Sequence, residues 1–340
     1  MIKETLEKLT DKIDLTIDEA TSIALKIMNG DLSHVQISAL LIALKVKGET
    51  PEEIAGFARA MREKSIKIDH ELDNLIDVCG TGGDSSGTFN ISTAASFVVA
   101  GAGIRVAKHG NRSISSKSGS SDVLSELGVN INLSRDNAKE ALDKIGITFL
   151  FAPLYHPAMK NAAPVRTELG VKTIFNLLGP LTNPANTKKQ LIGTYSRKTA
   201  ELMARAASYL GMEKICFVST DDRYDEISLT GDSDILEFNS PDLLNTFQLN
   251  HLDFGYNKIQ LKNIMGNSPK HNSDIINSVL RDKIRNDAYY VTAANAALAL
   301  STAGISRDIK ECTALAEESI DSGRAYDKLT SLINFSGANA

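Results

Sequence analysis

The sequence predicts an α/β protein: a small helical N-terminal domain plus a larger α/β domain with a largely parallel central sheet. Two observations lead there. Up to about residue 70, apolar residues recur at helical spacing with no two-residue alternation. From Leu75 onward, short β-rich runs alternate with helical stretches, the pattern of parallel strands joined by helices. The expected division is 1–71 for the helical domain, joined by helices of about 158–180, and 72–340 for the α/β domain. At 340 residues the chain is long enough for both.

Each element has its own signal. Leu6, Leu9 and Ile13 mark a first helix. A second opens at Ile17-Asp18-Glu19-Ala20 and closes at Asn29-Gly30. Residues 33–46, with the apolar run ISALLIALKV, form a third that Gly48 stops. Thr50-Pro51-Glu52-Glu53 starts a fourth: a capping hydroxyl, a proline where no N–H is needed, then acids beside the positive helix end. Strands are expected at LIDVC (75–79), GIRVAK (103–108), ITFLF (147–151), QLIGTY (190–195) and KICFVST (214–220). Helices are expected at 92–100, 122–127 and 199–210. The stretch 158–178 reads as helix up to a break at Gly179-Pro180. Residues 231–262, including KIQL, read as short antiparallel strands. Residues 293–299 read as a close-packed helix, and the C-terminal segment as one helix with a polar tail.

Bulk properties narrow the function classes. Lysine and arginine number 37 against 42 acids, a net charge of −5, whereas a generic nucleic-acid binder carries a basic excess. Cys79, Cys216 and Cys312 lie far apart, which fits neither a disulfide framework nor a zinc site. Cys79 and Cys216 sit in apolar strand-like runs and read as buried free thiols. The charged, amphipathic N-terminus is unlike a secretory leader. No apolar run approaches the roughly 20 residues of a membrane span. The expected location is the cytoplasm, with no membrane and no nucleic-acid partner.

Two segments carry anion-binding chemistry. Gly80-Thr81-Gly82-Gly83-Asp84 follows the strand LIDVC, at the strand end where α/β sheets bind ligands. Its glycines let backbone N–H groups converge, and Asn90-Ile91-Ser92-Thr93 then opens an apolar helix. Taken alone, this also fits a tight, capped turn. The second segment, KHGNRSISSKSGSSD, follows GIRVA and offers Lys108, Arg112, Lys117, Asn111 and six serines. Alone, it also fits a solvated basic loop. The dipeptide Gly-Lys of a P-loop is absent. The dinucleotide pattern fails too, because Ser85 stands at its third glycine and Arg105 lies on the next strand instead of an acid. Downstream, Asp221, Asp222, Asp225 and Glu226 follow KICFVST, and Asp225-Glu226 suits Mg²⁺ held jointly with phosphates. Arg166, in an apolar helical stretch, either holds an aromatic or carboxylate substrate or pairs with Glu168. His156-Pro157 reads as a turn start.

The strings GTGGD, FNIST, KHGNRSISSKSGSSDVL, PVRTELGVKTIFNLLGPLTNPA and DEIS, in this order over essentially the whole chain, resemble the anthranilate phosphoribosyltransferase family of tryptophan biosynthesis. KHGNR followed by SSKSGS and TIFNLLGPLTNPA carries most of the specificity. The resemblance implies transfer of the 5-phosphoribosyl group from 5-phosphoribosyl 1-diphosphate to the amino nitrogen of anthranilate. It implies a homodimer with the site in the cleft between the domains. The sugar diphosphate would contact Gly80, Gly83, Asp84, Thr88, Asn90, Ile91, Ser92, Thr93, Lys108, His109, Gly110, Asn111, Arg112, Ser113, Ile114, Ser115, Ser116 and Ser120. Mg²⁺, two ions per subunit, would be held by Ser92, Asp225 and Glu226 with the diphosphate. Anthranilate would meet Gly80, Asn111 and Arg166, and His109 or a water would take the amine proton. The chain departs from the family at Ser85, where glycine is common, and at Thr167 and Lys172, where arginine is common. It departs again at Asp221-Asp222-Arg223-Tyr224, where relatives carry a His-Gly pair and an apolar residue. Two rival readings share the architecture: a pyrimidine nucleoside phosphorylase-like enzyme and a non-catalytic nucleic-acid-binding relative. The long serine-rich loop opposes the first. The acidic balance and the presence of Asp225, Glu226 and Arg166 oppose the second.

Overall fold

Four helices open the chain: α1 (Ile2–Thr10), α2 (Ile17–Asn29), α3 (His34–Lys47) and α4 (Pro51–Lys64). The last three start with reciprocal capping boxes, in which Thr16, Ser33 and Thr50 accept from the third helical N–H while Glu19, Gln36 and Glu53 reach back. The computed structural model describes residues 2–82, 87–112, 118–241 and 243–338.

Strand–helix alternation then begins with β1 (Leu75–Gly80), α5 (Ile91–Gly101), β2 (Arg105–Gly110), α6 (Ser120–Glu126), α7 (Arg135–Lys144) and β3 (Ile147–Phe151). The segment after β3 holds α8 (Ala152–Tyr155), a 3-10 turn, α9 (Ala163–Leu169) and α10 (Phe175–Leu181). The sheet resumes with β4 (Lys189–Gly193), α11 (Arg197–Ser208), β5 (Lys214–Thr220), β6 (Ser233–Asn239) and β7 (Leu243–Leu249). The chain ends in α12 (Pro269–Leu280), α13 (Asp287–Ala303), α14 (Ile309–Asp321) and α15 (Arg324–Ala338).

The strand order is β3-β2-β1-β4-β5-β6-β7, with the first five parallel and the last two antiparallel. Gly80 pairs with Gly193 and Gly110 with Phe151, so the carboxyl ends of β1, β2, β3 and β4 form one edge. One face of the sheet packs on α5, α13 and the C-terminal helices. On the other, Ile192, Ile215 and Phe217 share a core with Ile27, Leu41 and Phe57 of the N-terminal helices and with Val165, Ile174 and Leu178 of α9 and its neighbours. The N-terminal helices reach this core through α9, α10 and α11, on which they pack.

Four expectations need correction. The helical stretch 158–178 breaks at Gly170, whose φ of 62° ends α9, and not at Gly179-Pro180, which lies inside α10. KIQL is not a strand; the chain there enters a 3-10 turn, Leu261–Ile264. The C-terminal segment is two helices, and its polar end continues α15 through Ala338. The three cysteines are free, but Cys79 is half-buried where the sequence suggests a buried thiol. Among the described residues no helix is long and apolar enough to cross a membrane.

Candidate active site

The ends of β1 and β4 are stitched together first. Thr81 donates its N–H to the Gly193 carbonyl at 2.9 Å and its hydroxyl to the same oxygen at 3.3 Å. Of the predicted sugar-diphosphate residues, Gly83, Asp84, Ser113, Ile114, Ser115 and Ser116 lie outside the described residues. The chain re-enters at Gly87, whose φ of 71° favours glycine. Thr88 then pairs with Met265, and Phe89 N–H donates to the Ile264 carbonyl at 3.0 Å.

Asn90 precedes α5 without capping it. Its amide donates to the Ser118 carbonyl at 3.1 Å and accepts from Asn272 Nδ2 at 2.9 Å and Ser118 Oγ at 3.2 Å. That network joins the start of α5, the serine-rich loop and α12. Ile91 and Thr93 are buried in the first turn of α5, and Thr93 Oγ1 has no partner among the described residues. Ser92 is half-buried, and its hydroxyl accepts from Lys108 Nζ at 3.3 Å.

Lys108, buried on β2, also donates to the Val78 carbonyl at 2.6 Å. Burial pulls its pKa below the usual lysine range, opposed by the charge of Asp77. Asp77 is fully buried, and loss of water pushes its carboxyl up. Its oxygens accept from His109 N–H at 3.2 Å, Asn183 Nδ2 at 2.8 Å and Gln190 Nε2 at 3.4 Å. Asn183 also donates to the Ala107 carbonyl at 2.8 Å, which ties the segment after α10 to β2. His109 Nδ1 lies 3.1 Å from the Gly179 carbonyl. A carbonyl only accepts, so Nδ1 carries the hydrogen and Nε2 keeps a bare lone pair. Among the described residues that buried Nε2 has no partner, and burial lowers the imidazole pKa. The His156 ring stands 5.1 Å away, and burial holds it neutral with a pKa of about 3. A side chain on Gly110 would collide with Ser120 Oγ, which donates to the Asn111 carbonyl at 3.4 Å. Asn111 Oδ1 accepts from Arg112 N–H at 2.7 Å, and the Arg112 guanidinium lies 5.9 Å from the Phe151 ring centre.

The four acids after β5 separate into two roles. Asp221 and Asp222, at φ 53° and 50°, shape the turn that returns Tyr224 to pair with Thr220. Asp222 Oδ1 accepts from Arg197 N–H at 2.7 Å, at the start of α11. Asp225 and Glu226 reach the strand ends. A Cβ on Gly80 would lie 2.7 Å from Asp225 Oδ2, and one on Gly193 would overlap the Asp225 carbonyl oxygen. Glu226 Oε1 accepts from Thr88 Oγ1 at 2.6 Å. Among the described residues no group of three or more His, Cys, Asp or Glu is arranged to hold a metal ion. A pair of carboxylates beside phosphate-binding loops is nevertheless the donor set that Mg²⁺ uses when phosphates and water complete its shell.

Arg166 is half-buried on α9, with its guanidinium 5.4 Å from the Phe175 ring centre. Burial lowers its pKa. Among the described residues it has no carboxylate partner, and the pairing with Glu168 does not form. Lys172 Nζ lies 3.6 Å from the Tyr195 ring centre.

Hydrogen bonds and packing thus bring Gly80, Thr88, Asn90, Ser92, Lys108, Asp225 and Glu226 to one edge of the sheet. Arg166 takes no part in those bonds. Sequence reasoning missed Gly193, Asn183 and Asn295. For Gly193 there was a signal, since a glycine inside a strand marks close approach by another backbone. For Asn295 the signal was one polar residue in the alanine run AANAALA.

Known proteins match the whole chain. The family described as "Glycosyl transferase family, a/b domain" matches residues 72–326, and "Glycosyl transferase family, helical bundle domain" matches residues 3–65. The anthranilate phosphoribosyltransferase of Persephonella marina is 45% identical over 337 residues, covering 99% of each chain. A crystal structure of the Thermus thermophilus enzyme of that name superposes with a TM-score of 0.92 at 36% identity, over 98% of this chain and 99% of that one. The Saccharomyces cerevisiae enzyme in complex with PRPP and Mg gives a TM-score of 0.90 at 29% identity, over 99% of this chain and 98% of that one. It has also been solved with 4-fluoroanthranilate.

Proposed function

This chain belongs to the anthranilate phosphoribosyltransferase family, and from that premise we propose which of its residues carry the reaction. The reaction moves the 5-phosphoribosyl group from 5-phosphoribosyl 1-diphosphate to the amino nitrogen of anthranilate and releases diphosphate, a step of tryptophan biosynthesis. The observation that carries the assignment of roles is the packing of Asp225 against Gly80 and Gly193, with Glu226 held by Thr88. It supports reading the two carboxylates as partners of phosphate groups bound beside the ends of β1 and β4.

In this reading the sugar diphosphate lies between the glycine loop, with Gly83 and Asp84, and the serine-rich loop of Ser113, Ile114, Ser115 and Ser116. Thr88, the start of α5 (Asn90, Ile91, Ser92 and Thr93) and Lys108, Gly110, Asn111, Arg112 and Ser120 line the rest. Ser92, Asp225 and Glu226 hold two Mg²⁺ ions per subunit together with the diphosphate. Bound Mg²⁺ supplies positive charge to the leaving diphosphate as the C1–O bond breaks. The sugar carbon passes through an oxocarbenium-like state, so no covalent nucleophile is needed. Arg166 grips the anthranilate carboxylate with its planar fork, and Gly80 and Asn111 complete that subsite. His109 Nε2, bare and held neutral at pH 7 by burial, receives the amine proton.

We assign 1–71 with the helices of 158–180 to one domain and 72–340 to the other, with the site between them. The second copy of a homodimer docks on α3. Val35, Ala39 and Val46 form an exposed apolar stripe there, with Val35 78% and Val46 77% exposed. Three free thiols support a reducing cytoplasm. The test is incubation with anthranilate, 5-phosphoribosyl 1-diphosphate and Mg²⁺ while following anthranilate fluorescence. Mg²⁺-dependent loss of signal with release of diphosphate is expected; an unchanged signal at high enzyme concentration defeats the assignment.

A further inference from the structure

Ile227 directly follows the acidic pair, and it is fully buried outside any strand or helix. Its backbone groups would be stranded there without a partner. One side chain supplies both partners. Asn295 Oδ1 accepts from Ile227 N–H at 3.1 Å, and Asn295 Nδ2 donates to the Ile227 carbonyl at 2.8 Å. The second amide hydrogen goes to the Val291 carbonyl at 2.8 Å, one turn earlier on α13. The amide is therefore fully used, and it grips the Ile227 peptide as a neighbouring strand would. The alanines around it, Ala293, Ala294, Ala296 and Ala297, are fully buried and let α13 approach closely.

The other side of Glu226 is held as well: Thr220 Oγ1 donates to its carbonyl at 2.6 Å. The backbone of Glu226 is thus clamped between the end of β5 and α13, and Asp225, just before it, lies against the ends of β1 and β4.

We propose that Asn295 is a positioning residue for the Mg²⁺–diphosphate site, acting through Ile227 to aim Asp225 and Glu226. The inference rests on the reading that those two carboxylates hold Mg²⁺. A residue that only satisfied a buried peptide would affect stability and leave metal binding untouched. A residue that aims metal ligands changes metal affinity, and such outer partners typically account for about 10- to 100-fold of it.

The experiment is calorimetric binding of 5-phosphoribosyl 1-diphosphate across a Mg²⁺ titration, without anthranilate, so that no turnover contributes. Asn295→Asp keeps size and the acceptor but removes both donors. Its extra negative charge would by itself tighten a cation, so a weaker Mg²⁺ response cannot come from charge. A rise of about 10-fold or more in the Mg²⁺ midpoint is expected, with the anthranilate KM at saturating Mg²⁺ within about two-fold of wild type. If Asn295→Asp does not fold, Asn295→Ser, which leaves room for water at Ile227, should show the same rise. Thr302→Val removes another buried hydrogen bond on α13, from Thr302 Oγ1 to the Leu298 carbonyl at 2.7 Å, and should lose stability without moving the midpoint. An unchanged midpoint in the Asn295 variants, or an equal rise in Thr302→Val, overturns the inference. If Asp225→Asn also leaves the midpoint unchanged, the metal assignment falls with it.

Discussion

The carbonyl oxygen of Asp225 occupies the space that a side chain on Gly193 would need. Gly80, its partner on β1, faces the Asp225 carboxylate in the same way. Two strands thus end in glycine where the acidic segment crosses them. Gly193→Ala must displace the Asp225 backbone, and a shift of about 1 Å at a reacting site costs on the order of 100-fold in rate. A loss of that order in kcat/KM is expected, whereas Gly337→Ala, with open space around it on α15, should leave kcat/KM unchanged. Steady-state rates near wild type for Gly193→Ala would remove the close packing of Asp225 from the account of the site.

Local signals were readable in the chain, and contacts between distant segments were not. Thr50 announced its helix because a capping box is complete within four residues, and Thr16 and Ser33 build the same local motif. The five parallel strands followed from apolar runs bounded by turn residues. Helix α7 carries only Ala138, Ala141 and Leu142 as buried residues, too weak an apolar stripe to declare itself. Pro180 suggested a break, yet it lies in the last turn of α10, where the Gly179 and Pro180 carbonyls, unpaired at any helix end, accept from His109 and from Gln190 at 2.6 Å. The composition of the glycine and serine loops, and their place after apolar strands, suggested anion binding. That Asp225 lies against Gly80, or that Asn295 holds Ile227, depends on packing between segments 68 residues or more apart, which no local pattern encodes.

Arg166 should act on one substrate only. Its guanidinium lies over Phe175 and makes no ion pair among the described residues, so its charge remains available for a carboxylate. Arg166→Ala is expected to raise the anthranilate KM on the order of 10- to 100-fold, the usual scale for a lost charge-assisted hydrogen bond. The KM for 5-phosphoribosyl 1-diphosphate should stay close to wild type. Arg166→Lys should recover only part of the loss, because an ammonium cannot reproduce the two-pronged contact. Equal effects on both KM values would refute the assignment.

The apolar stripe on α3 gives the proposed dimer its own test. Val35 and Val46 are exposed on a helix whose other face is buried in the core through Ile37, Leu40, Leu41 and Leu44. Placing a charge at each exposed position leaves that core intact, so Val35→Asp with Val46→Asp should fold normally. Sedimentation equilibrium should show a dimer for wild type and a monomer for the double variant. A variant that stays dimeric with unchanged affinity would move the interface elsewhere.

Stability should depend on pH through the buried histidines. His156 is held neutral down to a pKa of about 3 in the folded chain, against about 6.5 for a free imidazole. Between those values the unfolded chain binds a proton that the folded chain refuses. The stability contribution is therefore complete above about pH 6.5 and is lost progressively as the pH falls toward 3, at up to about 1.4 kcal/mol per pH unit. His109 is shifted in the same direction by burial and adds to the slope. In His156→Gln the substituted side chain cannot titrate, so urea unfolding between pH 6 and pH 4 should lose stability less steeply than wild type, by about 1 kcal/mol per pH unit. Because Gln removes only the titrating ring, a stability lower than wild type at pH 7 is compatible with this outcome, and the slope is the diagnostic quantity. Parallel curves for the two proteins would mean that His156 is protonated in the folded state too, which its burial beside His109 opposes.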